Sequence, residues 1–124
     1  MNLNQITIPS TDLAVSVPFY QKLGLILIVD AMPHYARFAC PEGDATFSIH
    51  RVDEKPKSVG IYVYFEMDKL DERVEQLIKA DICFDEMPED KKWLWREARL
   101  KDPDGNQLVL YKAGGNRLNP PWRI

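Results

Sequence analysis

The chain has 124 residues, 45% of them hydrophobic, and a formal net charge of −3. A chain of that length buries roughly two thirds of the surface it exposes when unfolded, so a core forms without disulfides or a structural metal. No Lys/Arg run is long enough to neutralise a row of phosphates, and no apolar run approaches the ~20 residues a bilayer requires, which excludes nucleic-acid and membrane partners. The first residues carry no secretory pattern, so a cytoplasmic location is expected, with Cys40 and Cys83 as free thiols in small core or strand positions.

Leu3 to Ile8 alternates apolar and polar residues and predicts a strand. Pro9-Ser10-Thr11-Asp12 supplies helix-start chemistry, and Leu13, Val15, Val17, Phe19, Tyr20 and Leu23 predict a helix of about three turns, bent at Pro18 and ended by Gly24. Leu25 to Val29 predicts a buried strand, and His34 to Cys40 with Ala45 to Arg51 a hairpin around Pro41-Glu42-Gly43. Val52 to Ser58, charged and holding Pro56, reads as a linker. Ile61 to Met67 then predicts a strand. Asp68 is placed to cap a helix with Leu70, Val74, Leu77 and Ile78 on its apolar stripe and Asp71, Glu72, Arg73 and Glu75 on a solvated face. Ile82 to Phe84 begins another strand, Pro88 to Lys92 is a polar loop, and Trp93 to Lys101 with Gln107 to Tyr111 form a second hairpin. Its turn is Asp102-Pro103-Asp104-Gly105-Asn106, in which proline fixes one φ, glycine accepts a positive one and Asp/Asn side chains bond the backbone. Gly114 to Ile124, with Gly-Gly, Pro-Pro and Trp122, predicts an extended arm.

The two hairpins are copies. Ala36, Arg37, Pro41 and Gly43 return as Ala98, Arg99, Pro103 and Gly105 at a constant spacing of 62, half the chain. Self-similarity at that period implies two copies of one supersecondary unit. The expected fold is therefore α+β, a single domain over 1–124 in which two β-α-β-β-β modules, about 3–51 and 59–112, form a cupped mixed β-sheet followed by an arm at 113–124.

This duplicated unit, the Asp-Pro-Asp-Gly-Asn turn and the opening Asp12-Leu13 followed by Phe19-Tyr20-Gln21-Lys22-Leu23-Gly24 resemble the vicinal oxygen chelate superfamily. That superfamily includes glyoxalase I, extradiol dioxygenases and the bleomycin and fosfomycin resistance proteins. Its metal-dependent members take four ligands, one from each of the first and last strands of the two modules. By motif the matching positions are Gln5, Ser48, Tyr62 and Val109. Only Gln5 remains a plausible ligand, since Val109 offers no donor atom and Ser48 and Tyr62 bind divalent ions poorly. The resemblance thus implies a protein without the usual metal site, a divalent ion staying open only through a displaced set such as Gln5, His50 and Glu97. Trp93-Leu94-Trp95-Arg96-Glu97-Ala98 is similar to the Trp-Gly-x-Arg-Glu-Phe segment of the bleomycin-resistance branch, whose members bind a drug unaltered as dimers. A homodimer with a small-molecule ligand is what that likeness implies.

Period-two alternation fixes which residues share a face with the former ligand positions. Gln5 brings Thr7, Ser48 brings His50, Tyr62 brings Tyr64, and Val109 brings Gln107 and Tyr111. Hairpin pairing puts Arg99 opposite Val109 and Glu97 opposite Tyr111, and the duplication puts Arg37 and Tyr35 in the matching places. These residues, with Trp95, suit a ring-bearing ligand with an anionic group, held by Arg contacts and stacking. Arg99 and Glu97 equally suit mutual pairing, because buried charges are paired. His50 as a base, steered by Glu97, would instead make the protein a glyoxalase-like lyase or isomerase. Metal-independent binding is the first expectation and catalysis the alternative.

Overall fold

In a computed structural model the described residues are 1–57 and 60–124, so Ser58 of the expected linker and Val59 of the expected second module lie outside them. The chain runs β1 (Gln5–Ser10), α1 (Leu13–Leu23), β2 (Ile26–Ala31), β3 (Tyr35–Ala39), β4 (Thr46–Arg51), β5 (Tyr62–Glu66), α2 (Leu70–Lys79), β6 (Glu86–Asp90), β7 (Arg96–Lys101) and β8 (Gln107–Lys112). The β-α-β-β-β order therefore occurs twice in an α+β fold. Each series builds a four-stranded mixed sheet, in the orders β1-β4-β3-β2 and β5-β8-β7-β6. In each, the first and last strands pair in parallel and the others antiparallel. The chain divides into two compact units, Met1–Val59 with Asp102–Asn106, and Gly60–Lys101 with Gln107–Ile124.

In the first unit Asp12 caps α1 by accepting from the Ala14 N–H at 3.0 Å, and Gly24 ends it at φ 105°, a conformation that favours glycine. Leu13, Val17 and Tyr20 are buried, as are Ile8, Phe38, Phe47 and Ile49 on one face of the sheet. The Tyr20 and Phe47 ring centroids lie 4.7 Å apart. Helix α1 continues through Pro18 without a break. That residue is exposed, on the side where a carbonyl deprived of its helical partner still meets water. Strand β1 starts later than predicted and keeps Pro9 and Ser10, because β1 is an edge strand on which a missing N–H is tolerated. Leu25 to Val29 was expected to be buried, yet β2 is the opposite edge, with Ile26 and Ile28 half-exposed.

In the second unit Leu70, Val74 and Leu77 of α2 are buried, as are Val63, Leu100, Leu108 and Leu110 of the sheet. Ile78, one step further around the helix, stays exposed. Asp68 does not cap the helix: Lys69 holds that place without a side-chain bond. Nor is Asp71 merely solvated, since it receives two bonds from Arg96 of β7, at 2.9 Å from Nε and 2.7 Å from Nη2. The expected strand at Ile82 to Phe84 forms further on, at Glu86–Asp90 in place of the expected loop. Its register slips between Glu86 and Glu89, around Pro88, a bulged edge strand being where proline fits in a sheet. Ile82 is buried outside any strand, and Cys83 is exposed rather than core. Trp93 falls in the turn before β7, where Leu94 has φ 67°. The expected arm begins as a 3-10 turn at Gly114–Arg117, with the Ala113 and Gly114 N–H groups donating to Glu66 at 2.9 and 3.0 Å. Among the described residues no helix is long and apolar enough to cross a membrane.

Candidate functional site

Each sheet turns one face toward its helix, and strand register decides which side chains share the opposite face, where Ser48, Glu97 and Val109 are buried and Tyr62 and Tyr64 half-exposed. In the first unit Gln5 pairs with Thr46 and Thr7 with Ser48, while Tyr35 stands opposite His50 and Arg37 opposite Ser48. These side chains form a directed relay. Thr46 donates through its hydroxyl to Gln5 Oε1, which turns the amide Nε2 toward Ser48 Oγ at 2.5 Å. Ser48 Oγ lies 2.7 Å from Tyr35 Oη, and Arg37 Nε donates to that same phenol oxygen at 2.9 Å. Ser48 is fully buried. Ser48 Oγ accepts from Gln5, and either hydroxyl can donate the bond between Ser48 and Tyr35. The bond to Ser48, with the Arg37 guanidinium adding to it, draws the Tyr35 phenol below its ordinary range. His50 is exposed near the end of β4.

In the second unit Tyr62 pairs with Gln107, Tyr64 with Val109, Arg99 with Val109 and Glu97 with Tyr111. The face away from the helix is aromatic. Tyr64, Trp95 and Tyr111 cluster, with centroids 5.9 Å apart for Tyr64 and Trp95, 5.4 Å for Tyr64 and Tyr111 and 4.8 Å for Trp95 and Tyr111. Val109, Tyr111 and Ala113 form a buried cluster against which Trp95 packs. Burial, and next the Glu97 carboxylate, push the Tyr64 phenol up. Arg99 lies over the Tyr62 ring at 5.7 Å, its Nη2 3.6 Å from Glu97 and its Nε 3.5 Å from Glu86. Glu97 is fully buried, and neither of its oxygens has a hydrogen-bond partner among the described residues. Arg99 Nε likewise lacks one.

The expected cluster is therefore distributed between two settings, with Gln5, Tyr35, Arg37, Ser48 and His50 in the first unit and Tyr62, Tyr64, Trp95, Glu97, Arg99, Val109 and Tyr111 in the second. Glu86 escaped the sequence reading because its strand was placed four residues early; the signal was Pro88, which marks an edge. The residues at the former ligand positions do not fit a divalent ion. Both ends of the Gln5 amide are engaged, Val109 has no donor atom, and no group of three His, Cys, Asp or Glu that could hold a metal occurs among the described residues.

A family model described as the Glyoxalase/Bleomycin resistance protein/Dioxygenase superfamily matches residues 2–110. No curated protein matches the chain. Among solved structures, a glyoxalase/bleomycin resistance protein/dioxygenase from Nocardioides is 23% identical with TM-score 0.79, the match covering 100% of this chain and 89% of that one. A lactoylglutathione lyase from Agrobacterium tumefaciens is 14% identical with TM-score 0.76, covering 95% and 96%. A bleomycin-binding protein complexed with bleomycin is 22% identical with TM-score 0.71, covering 90% and 98%. At such identities the structures establish a shared fold, and the family match over most of the chain establishes kinship. The chain belongs to the glyoxalase/bleomycin resistance protein/dioxygenase superfamily.

Proposed function

We propose that this protein binds a small planar molecule without a metal and without altering it. The observation that carries this is the Tyr64, Trp95 and Tyr111 cluster on the sheet face of the second unit away from its helix, where half-exposed Tyr64 offers ring surface for stacking. Arg99, on the same face of that unit, supplies a planar donor to a polar substituent of the ligand. The bleomycin complex of a protein with the same fold is consistent with this. A homodimer belongs to the proposal: half-exposed Ile26 and Ile28 on edge strand β2 are the kind of surface a second copy covers. A cytoplasmic location does too.

Native mass spectrometry of untagged protein, purified without chelator, is expected to show a metal-free dimer that retains organic adducts. One divalent ion per subunit would overturn the metal-independent reading. Trp95→Ala is expected to weaken binding of any retained adduct by about tenfold. Catalysis as lyase or isomerase remains a second reading, favoured by the lowered Tyr35 phenol, a ready proton donor next to Arg37. In that reading His50, on the same strand as Ser48, is the base, and turnover of a substrate should vanish in Tyr35→Phe and in His50→Ala.

A further inference from the structure

We propose that Glu97 makes the aromatic face of the second unit selective for aromatic ligands that carry a protonated nitrogen, so that the ligand's N–H is what the buried carboxylate is built to receive. The proposal deepens the ligand-binding reading above and rests on it.

Three observations converge on Glu97. Its side chain is 1% exposed, and neither carboxylate oxygen accepts a hydrogen bond from the described residues. A buried ionised group without hydrogen bonds is costly, and such groups persist where a function needs them. Charge on this face is also unbalanced: Glu86, Glu89 and Glu97 share two cations, Lys91 and Arg99. Lys91 lies 3.5 and 3.3 Å from Glu86 and Glu89, while Arg99 is divided between Glu86 and Glu97 at more than hydrogen-bonding distance. The surplus is negative, and Glu97 holds the least satisfied part of it. Finally, the carboxylate lies on the same strand face as Arg99, opposite Tyr111 and close enough to Tyr64 to act on its phenol. Aromatic faces attract cations through their quadrupoles, so rings and carboxylate select for the same sign.

A neutral planar ligand would gain the stacking and at most a hydrogen bond, leaving the carboxylate's charge uncompensated. An anionic one would add repulsion, offset only by an Arg99 already drawn toward two glutamates. A cationic ring bearing an N–H donor supplies both the missing hydrogen bond and the missing charge. Sites built to bond a particular group reject analogues lacking it, because their own buried polar atoms then remain unpaired.

The test uses the full chain, isothermal titration calorimetry at neutral pH and three two-ring probes: 4-aminoquinoline, which is protonated there, 1-naphthylamine, its neutral counterpart, and naphthalene-1-sulfonate. The wild type is expected to bind 4-aminoquinoline at least about tenfold more tightly than 1-naphthylamine, and the sulfonate least. Glu97→Gln preserves the shape and removes the charge. It should shrink the preference below about threefold by weakening 4-aminoquinoline much more than 1-naphthylamine, and should raise Tm by about 3 °C. Equal wild-type affinity for the cation and the neutral probe would overturn the selectivity and leave the binding face standing. So would a preference for the sulfonate, which would make Arg99 the reader. An undiminished preference in Glu97→Gln would also overturn it. A protein that takes up none of the three overturns both the selectivity and the binding face. The wild-type ranking tests the selectivity however the variant folds, and the variant tests its assignment to Glu97.

Discussion

Buried carboxylates occur in both units and are treated in opposite ways. In the first, Asp102 and Asp104 are each 5% exposed and richly bonded. Asp102 accepts from the Tyr20 hydroxyl at 2.6 Å, from the backbone N–H groups of Asp104 and Asn106 at 2.9 Å each and from Asn106 Nδ2 at 2.8 Å. Asp104 accepts from the Thr11 N–H at 2.8 Å, the Thr11 hydroxyl at 2.5 Å and the Ser16 hydroxyl at 3.0 Å. Glu97 in the second unit has none of this. The cause lies in the backbone. A turn whose glycine, Gly105, takes φ 83° leaves N–H groups unclaimed by any ladder, and side chains two to four residues away collect them. Mid-strand, at Glu97, the neighbouring backbone donors are committed to β6 and β8. A carboxylate there obtains donors only from side chains or from outside the chain. Saturation accounts for Asp102 and Asp104 as structural carboxylates, while Glu97 keeps its acceptor capacity unused.

That contrast breaks most visibly at Asp102. Asp102→Ala orphans a buried tyrosine hydroxyl and two turn N–H groups, and should cost about 4 kcal/mol, read as a fall in the denaturation midpoint with an unchanged slope. Were the loss below about 1 kcal/mol, saturation would not identify structural carboxylates. Glu97→Gln should do the reverse and stabilise, as set out above.

Asp104 sharpens the comparison through pH. Burial pushes its carboxyl up, but the bonds from the Thr11 side chain and backbone, with Ser10 and Ser16, outweigh burial and hold it below the ordinary carboxylate range. A folded-state value lower than the unfolded one means stability that is present above the unfolded value, near pH 4, and lost as pH falls through the folded one. Asp104→Asn should therefore be less stable than wild type by about 1–3 kcal/mol at pH 7, and the gap should close as pH falls below about 4. A gap that stays constant across that range would show that the carboxylate charge contributes nothing.

The repeat at a spacing of 62 made both hairpins legible, and pairing across the second turn then gave the partners of Arg99 and Glu97 correctly. Those inferences work because register is a local consequence of turn length and alternation. What stayed hidden depends on long-range partners. Asp71 read as solvated because its partner, Arg96, is 25 residues away. Asp102 and Asp104 read as turn chemistry only, since their bonds to Tyr20, Thr11 and Ser16 span 82 to 93 residues. Strand β6 was misplaced because its polar, proline-containing sequence pairs on one side alone, whereas the apolar Ile82 to Phe84 imitated a strand. On the candidate site, residue identity and face could be read, but not that Glu97 would be left without donors.

The smallest expected effect tests the direction of the relay in the first unit. If Thr46 fixes the Gln5 amide so that Nε2 donates to Ser48 and the Ser48 proton goes to Tyr35, the phenol accepts from Ser48 and Arg37 together. Two donors on one phenol oxygen favour the phenolate, in keeping with the lowered Tyr35 phenol. Ser48→Ala removes one of them at a stability cost of about 1 kcal/mol, and should move the Tyr35 titration upward, toward an ordinary tyrosine. Ultraviolet difference titration would follow it, with Tyr35→Phe identifying which phenolate is lost. A downward shift would mean that Tyr35 was the donor, that Ser48 was holding its proton in place and that the relay runs the other way. The Tyr35 proton would then be held by Ser48, and the phenol would resemble Tyr64 of the second unit, which burial pushes up rather than down. An upward shift keeps the two faces chemically opposite, one lowered phenol beside Arg37 and one buried carboxylate without hydrogen bonds.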